Sequence, residues 1–217
     1  FDRVLVSSLP ALLEPFTGLS PALCMIWENA RGTSALYSGQ RLRGREHLGR
    51  AFEQLSRLSS NDFPYVQSMR NAIALSLCAV ESMLGLLESA QRWIQLLDED
   101  PMQRVNAMYL RKIVALQEGN WQRSQDYRKQ AELLALQSNV RQMFSLHHAE
   151  LAAHARAGDL TGLRHVCERI EVMCERSPHA AVLSSLGRGL FQQLRGDWTQ
   201  AEIELRDCLE RCDPRMH

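Results

Sequence analysis

The stretch "HHAELAAH" sets His147, Glu150 and His154 at i, i+3 and i+7. Imidazole nitrogens beside a carboxylate are the donor types of a hydrolytic metal site, so this run is the first candidate for chemistry. On a helix Glu150 and His154 share a face. His147 and His154 stand about 10 Å apart along the axis, too far to hold one ion. The H-E-x-x-H arrangement is absent. The run therefore reads as a polar helix surface, and no metal is expected.

The six cysteines, Cys24, Cys78, Cys167, Cys174, Cys208 and Cys212, contain no C-x-x-C pair. Cys174 and Cys212 are 38 residues apart, and at that offset Cys208 corresponds to Ile170 and Cys167 to Leu205. A position that exchanges Cys for Ile or Leu behaves as a small core hydrophobe. A zinc site on Cys174, Cys208 and Cys212 would need a fourth ligand that no spacing supplies. Free thiols suit a reducing compartment, and the expected location is cytoplasmic. There is no G-x-S-x-G elbow, Walker loop or dinucleotide fingerprint, so no catalytic residue, enzyme activity or cofactor is expected.

Charge narrows the partners. The 25 basic and 25 acidic residues balance, leaving no global field to attract nucleic acid or an anionic membrane. Only Lys112 and Lys129 are lysines. The one basic cluster, "RLRGREHLGR" with Arg41, Arg43, Arg45 and Arg50, reads as a solvated turn and helix face. No apolar run approaches the roughly 20 residues that span a bilayer.

The elements that position these residues are marked by a recurring turn. "GDWTQA" begins at Gly196, "GDLTGL" at Gly158 and "GNWQRS" at Gly119, with weaker copies "GLLESA" at Gly85 and "GREHLG" at Gly44. Their spacings of 41, 34, 39 and 38 residues have the period of stacked helix pairs. Gly just past a helix adopts the left-handed conformation without a Cβ penalty. Asp197, Asp159 and Asn120 then serve as N-caps of the next helix, and Asp197 with Gln200 has capping-box spacing. Trp198, Trp121 and Leu160 share one position, where a large side chain is expected to plug the groove between two helices. Ala201, Ser124 and Ala90 are small at the next contact. Ser20-Pro21, Asp100-Pro101, Ser177-Pro178 and Asp213-Pro214 mark further helix starts, and "SSNDFP" and "QSN" separate pairs less sharply. "GRGLF" (Gly187 to Phe191) falls inside a helix, where its glycines admit a close neighbour. No strand-like alternation is present, and the fold class is all-α.

These units resemble tetratricopeptide repeats, whose second helix commonly opens with Gly-Asp/Asn-aromatic and carries Ala five residues after the Gly. Gly196, Asp197, Trp198 and Ala201 match, as do Gly119, Asn120 and Trp121. The resemblance runs from about Pro21 to Asp213. Three of the four spacings exceed the 34 residues of the standard repeat, and in this the chain looks like the helical repeat regions of large bacterial signalling ATPases and LuxR-type regulators. It implies a right-handed superhelical α-solenoid of about five stacked antiparallel helix pairs. The spans are a partial leading repeat over 1–20, then 21–60, 61–100, 101–138, 139–177 and 178–214, as a piece of a longer protein. It further implies a non-catalytic protein- or peptide-binding scaffold, the sensor or assembly region of a regulator, whose partner can be another domain of the same chain. Projecting the family's first-helix positions gives a concave groove of Tyr109 and Ile113, His148 and Arg156, Leu190 and Gln193. The alternative is a ligand-sensing domain that takes a small molecule or signal peptide in that groove.

Overall fold

The computed structural model describes residues 9–16, 18, 20–138, 145–174 and 180–212. All regular structure among them is helical. The helices gather into two compact units, Phe1–Gln103 and Arg104–His217. The first holds α1 (Pro21–Tyr37), α2 (Arg41–Leu55), α3 (Val66–Leu84) and α4 (Leu87–Asp98). The second holds α5 (Arg104–Gln117), α6 (Trp121–Ser138), α7 (Ser145–Arg156), α8 (Leu160–Cys174), α9 (Ala180–Arg195) and α10 (Trp198–Cys212). Short 3-10 turns occupy Glu14–Phe16 and Pro101–Gln103. The helix starts expected at Ser177-Pro178 and Asp213-Pro214, the residue Asn139 and the first eight residues lie outside the described set.

One turn geometry joins α1 to α2, α3 to α4, α5 to α6, α7 to α8 and α9 to α10. Its glycines, Gly39, Gly85, Gly119, Gly158 and Gly196, have φ of 75°, 79°, 76°, 65° and 81°. In each turn the N–H after the glycine donates to the carbonyl five residues back. These bonds run from Gln40 to Ala35, Leu86 to Glu81, Asn120 to Ala115, Asp159 to His154 and Asp197 to Gln192, at 2.8–3.0 Å. This is the Schellman closure, which satisfies carbonyls that the helix end leaves open. Asn120, Asp159 and Asp197 then accept from the N–H of Arg123, Gly162 and Gln200 at 2.9–3.1 Å, as N-caps do. The Gln200 side chain donates to Glu204 instead of closing a capping box. Ser20 also caps its helix, accepting from the Ala22 N–H, with Pro21 in the first turn.

Two turn assignments are corrected. Gly44 is not a turn residue: it is buried inside α2, and the turn glycine is Gly39. Gly44 holds the small position five residues on, where Ala90, Ser124 and Ala201 sit buried in the other pairs. A Cβ there would lie 2.4 Å from Leu36 Cδ2. Trp198, Trp121 and Leu160 do not plug grooves, being 66%, 48% and 38% exposed. Helical side chains lean toward the N-terminus, so a residue in the first position projects past the end of its own helix. The inward contact begins three residues later, at Ala201, Ser124 and Leu163, all at most 3% exposed.

In the first unit Met25, Leu48, Ala51, Leu55, Ile73 and Leu77 form a buried cluster. Trp93 packs edge-to-face with Phe52, their ring centroids 4.8 Å apart, and donates to Glu81 Oε2 at 2.8 Å. Trp27 donates to the Pro10 carbonyl at 2.8 Å. The core of the second unit joins α7, α8 and α9 through Leu151, Leu163, Val166, Cys167, Ile170 and Leu183. Cys167 and Cys208 are 8% exposed, as core thiols are, and burial pushes the Cys167 thiol up to about 11. Gly187 lets α9 approach, since a Cβ there would stand 2.8 Å from Cys167 Sγ. The Cys212 side chain lies outside the described set.

Candidate functional site

Within the second unit α7 packs on α5, α8 and α9. A helix hemmed in on several sides buries side chains around much of its circumference. Leu146, Ala149, Leu151 and Ala153 are accordingly buried, but so are His147 at 5%, Glu150 at 1% and His154 at 5% exposure. The surface placement of this trio is overturned. A charge this deep requires partners, and α5 and α8 supply them. Glu150 Oε1 pairs with Lys112, which is itself buried, and Glu150 Oε2 receives Arg169 at 2.6 Å. His147 Nδ1 stands 3.5 Å from the same Oε2. Burial alone would raise the Glu150 pKa. The His147 contact and the charges of Lys112 and Arg169 outweigh it and hold the carboxyl well below its usual range.

A second, partly buried pair sits beside the first. His154 Nδ1 lies 2.7 Å from Asp159 Oδ2, while Asp159 Oδ1 accepts from the Gly162 N–H at 2.9 Å. The N-cap of α8 is thus also the partner of His154. Gly162 leaves room for this pair: a Cβ there would fall 2.1 Å from Asp159 Oδ2 and 2.3 Å from His154 Nδ1. Burial, and then the charge of Lys112, lower the His154 pKa, with Glu150 and Asp159 opposing.

These pairs form the floor of an open cleft of about 540 Å³ enclosed by α5, α6, α7 and α8. Tyr109 and Lys112 line it from α5, and Glu150 and His154 from α7. The α6 wall carries Trp121, Gln125, Arg128 and Glu132. The α8 wall carries Thr161, Gly162, His165 and Arg169. Burial pushes the Tyr109 hydroxyl pKa up; Arg169 opposes this, and Glu150 and Glu132 add to it. The arrangement combines fixed charges at the base with a half-exposed indole and mobile-length cations at the rim, which suits reversible binding.

Of the residues expected in a groove, Tyr109 lines the cleft. Ile113, also expected there, is 1% exposed and belongs to the core. His148 is half-buried on α7. Arg156 is exposed and donates to Gln117 at 3.1 Å. Leu190 packs half-buried against the α7–α9 core, and Gln193 is exposed on α9. The basic cluster is not simply a solvated face. Arg45 pairs with buried Glu81 at 2.8 Å, and Arg50 and His47 pair with buried Glu28 at 3.2 and 2.6 Å. Lys112 and Arg169 were missed as site residues. They come from α5 and α8, and no spacing in the sequence links either of them to Glu150.

Among the described residues no group of three or more His, Cys, Asp or Glu side chains gathers as a metal site. No helix among them is long and apolar enough to cross a membrane. Compared with known proteins, the chain matches no family model, no curated protein and no solved structure.

Proposed function

We propose that the chain is a non-catalytic binding module built from helix-pair repeats of the tetratricopeptide kind, stacked within each unit. It serves as the sensor or assembly region of a regulatory protein and holds a segment of a partner in the cleft of the second unit. The observation that carries this reading is the cleft itself, which four helices line above a floor of charges already paired with one another. Ion pairs formed in advance need no rearrangement when a ligand arrives, which lowers the cost of binding. The repeated left-handed glycine turn supports the repeat assignment, because one closure recurs wherever two helices of a pair meet.

The small-molecule reading has its own support. A cleft of about 540 Å³ falls in the range of pockets that take compact ligands. One experiment covers both. A displayed library of short peptides and a thermal-shift panel of small molecules are screened against the protein and against Gln125→Trp, which fills the cleft from the α6 wall. Ligands lost in Gln125→Trp support the proposal. Ligands that bind both proteins equally, or no ligand at all, count against it.

A further inference from the structure

We propose that the cleft of the second unit recognises a single carboxylate group attached to a planar apolar body. The proposal rests on the binding-module reading and names the chemistry that this site takes. It starts from where hydrogen-bond capacity remains. Both floor carboxylates are engaged on both oxygens, Glu150 by Lys112 and Arg169, and Asp159 by Gly162 and His154. A new donor in a ligand would find few acceptors there. The cations differ, since a guanidinium carries five N–H groups. Arg169 reaches Glu150 through Nη2 and keeps 43% of its side chain exposed. Arg128 lies 3.8 Å from Glu132 through Nε, an i, i+4 contact with both side chains about half exposed. Such a pair is weak and readily exchanged.

The surplus of donors calls for an acceptor, and a planar carboxylate fits a guanidinium with two parallel bonds. Charge sets the limit on that acceptor. Lys112, Arg128 and Arg169 are matched by Glu132, Glu150 and Asp159 among the lining side chains. A dianion such as a phosphate monoester would add two charges to a cleft with no net positive charge to offset them. Trp121, 48% exposed on the α6 wall, offers a face on which a flat group can stack. The carboxylate can come from a free organic acid or from an acidic side chain beside an aromatic one in a peptide.

Calorimetric titration with benzoate, benzamide and phenylphosphonate tests the proposal, alongside end-blocked Phe-Glu and Phe-Gln dipeptides. Benzoate or Phe-Glu should bind at least about tenfold more tightly than its neutral amide counterpart, the effect of a charge-assisted bond. The tighter of the two identifies the source of the carboxylate. Arg128→Gln should weaken that binding about tenfold with the melting temperature unchanged, and Trp121→Ala should weaken it as well. Arg169→Gln is less informative because it also exposes Glu150 to an unbalanced site. Equal binding of acid and amide, or preference for phenylphosphonate, overturns the carboxylate proposal and leaves the binding cleft standing. If all five probes fail at millimolar concentration while Gln125→Trp still abolishes other ligands, the carboxylate proposal alone falls. If no cleft-dependent ligand exists, both fall.

Discussion

Glu150 shows how a charge survives at 1% exposure: cations arrive on both of its oxygens from two other helices. His154 is balanced differently, because burial and Lys112 disfavour its cation more than Glu150 and Asp159 favour it. Its folded pKa therefore lies below that of the unfolded chain. Between those two values the unfolded chain binds more protons, so stability falls as pH drops below about 6.5. Glu150 adds a second, more acidic window, since its lowered pKa contributes stability that is lost as pH falls below about 4.3 and through the folded value. The denaturation midpoint should thus decline as pH falls from about 6.5 toward the lowered folded value of His154, and His154→Gln should flatten that part of the profile. An unchanged slope would contradict the assignment. Trp198→Ala should change stability by less than about 1 kcal/mol in a denaturant titration, because the residue is already 66% exposed. The sequence pattern around Trp198 suggested burial, and only the direction of a first-turn side chain argues otherwise. The buried Lys112–Glu150 pair was equally hidden, because the two stand 38 residues apart and nothing local links them.

At the level of helices, the turn was the most legible feature. Gly-Asp or Gly-Asn before a helix specifies a left-handed residue and a cap at once, and both recur in the structure at Gly119, Gly158 and Gly196. Gly44 misled because Gly49 stands five residues beyond it, mimicking the motif, whereas "SGQRLRG" hides the true turn under a Gln at the cap position. The faces that bring helices together were harder to read. Gly32 of α1 illustrates this: a Cβ there would meet Leu48 Cγ at 2.7 Å and the Leu48 backbone nitrogen at 3.0 Å. Backbone cannot move aside as a side-chain end can, so Gly32→Ala should destabilise by about 1–3 kcal/mol through overpacking. Thermal melts of Gly32→Ala and Gly49→Ala, whose added Cβ meets nothing within 4 Å, separate this effect from helix propensity. Equal melting temperatures would show that α1 and α2 part without penalty.

Across the molecule each unit has a core of its own, Leu48 lying in the first and Leu151 in the second. All-α content and pairing in neighbours follow from the apolar spacing and the caps. The division at Gln103 and Arg104 does not, because Asp100-Pro101 looks like every other helix start in the sequence. Leu48→Ala should remove about 2–5 kcal/mol from its surroundings. Amide exchange should then accelerate across α1 to α4 more than across α5 to α10; uniform acceleration would mean that the chain opens as one body. The buried Lys112 has a further consequence, of a chemical kind. With Lys129 exposed and Lys112 locked against Glu150, the folded chain offers acylating reagents one accessible side-chain amine of its two. Mass spectrometry should find a single lysine adduct in the native protein, and a second only when α5 and α7 separate, so label stoichiometry reports whether the charged floor is shut.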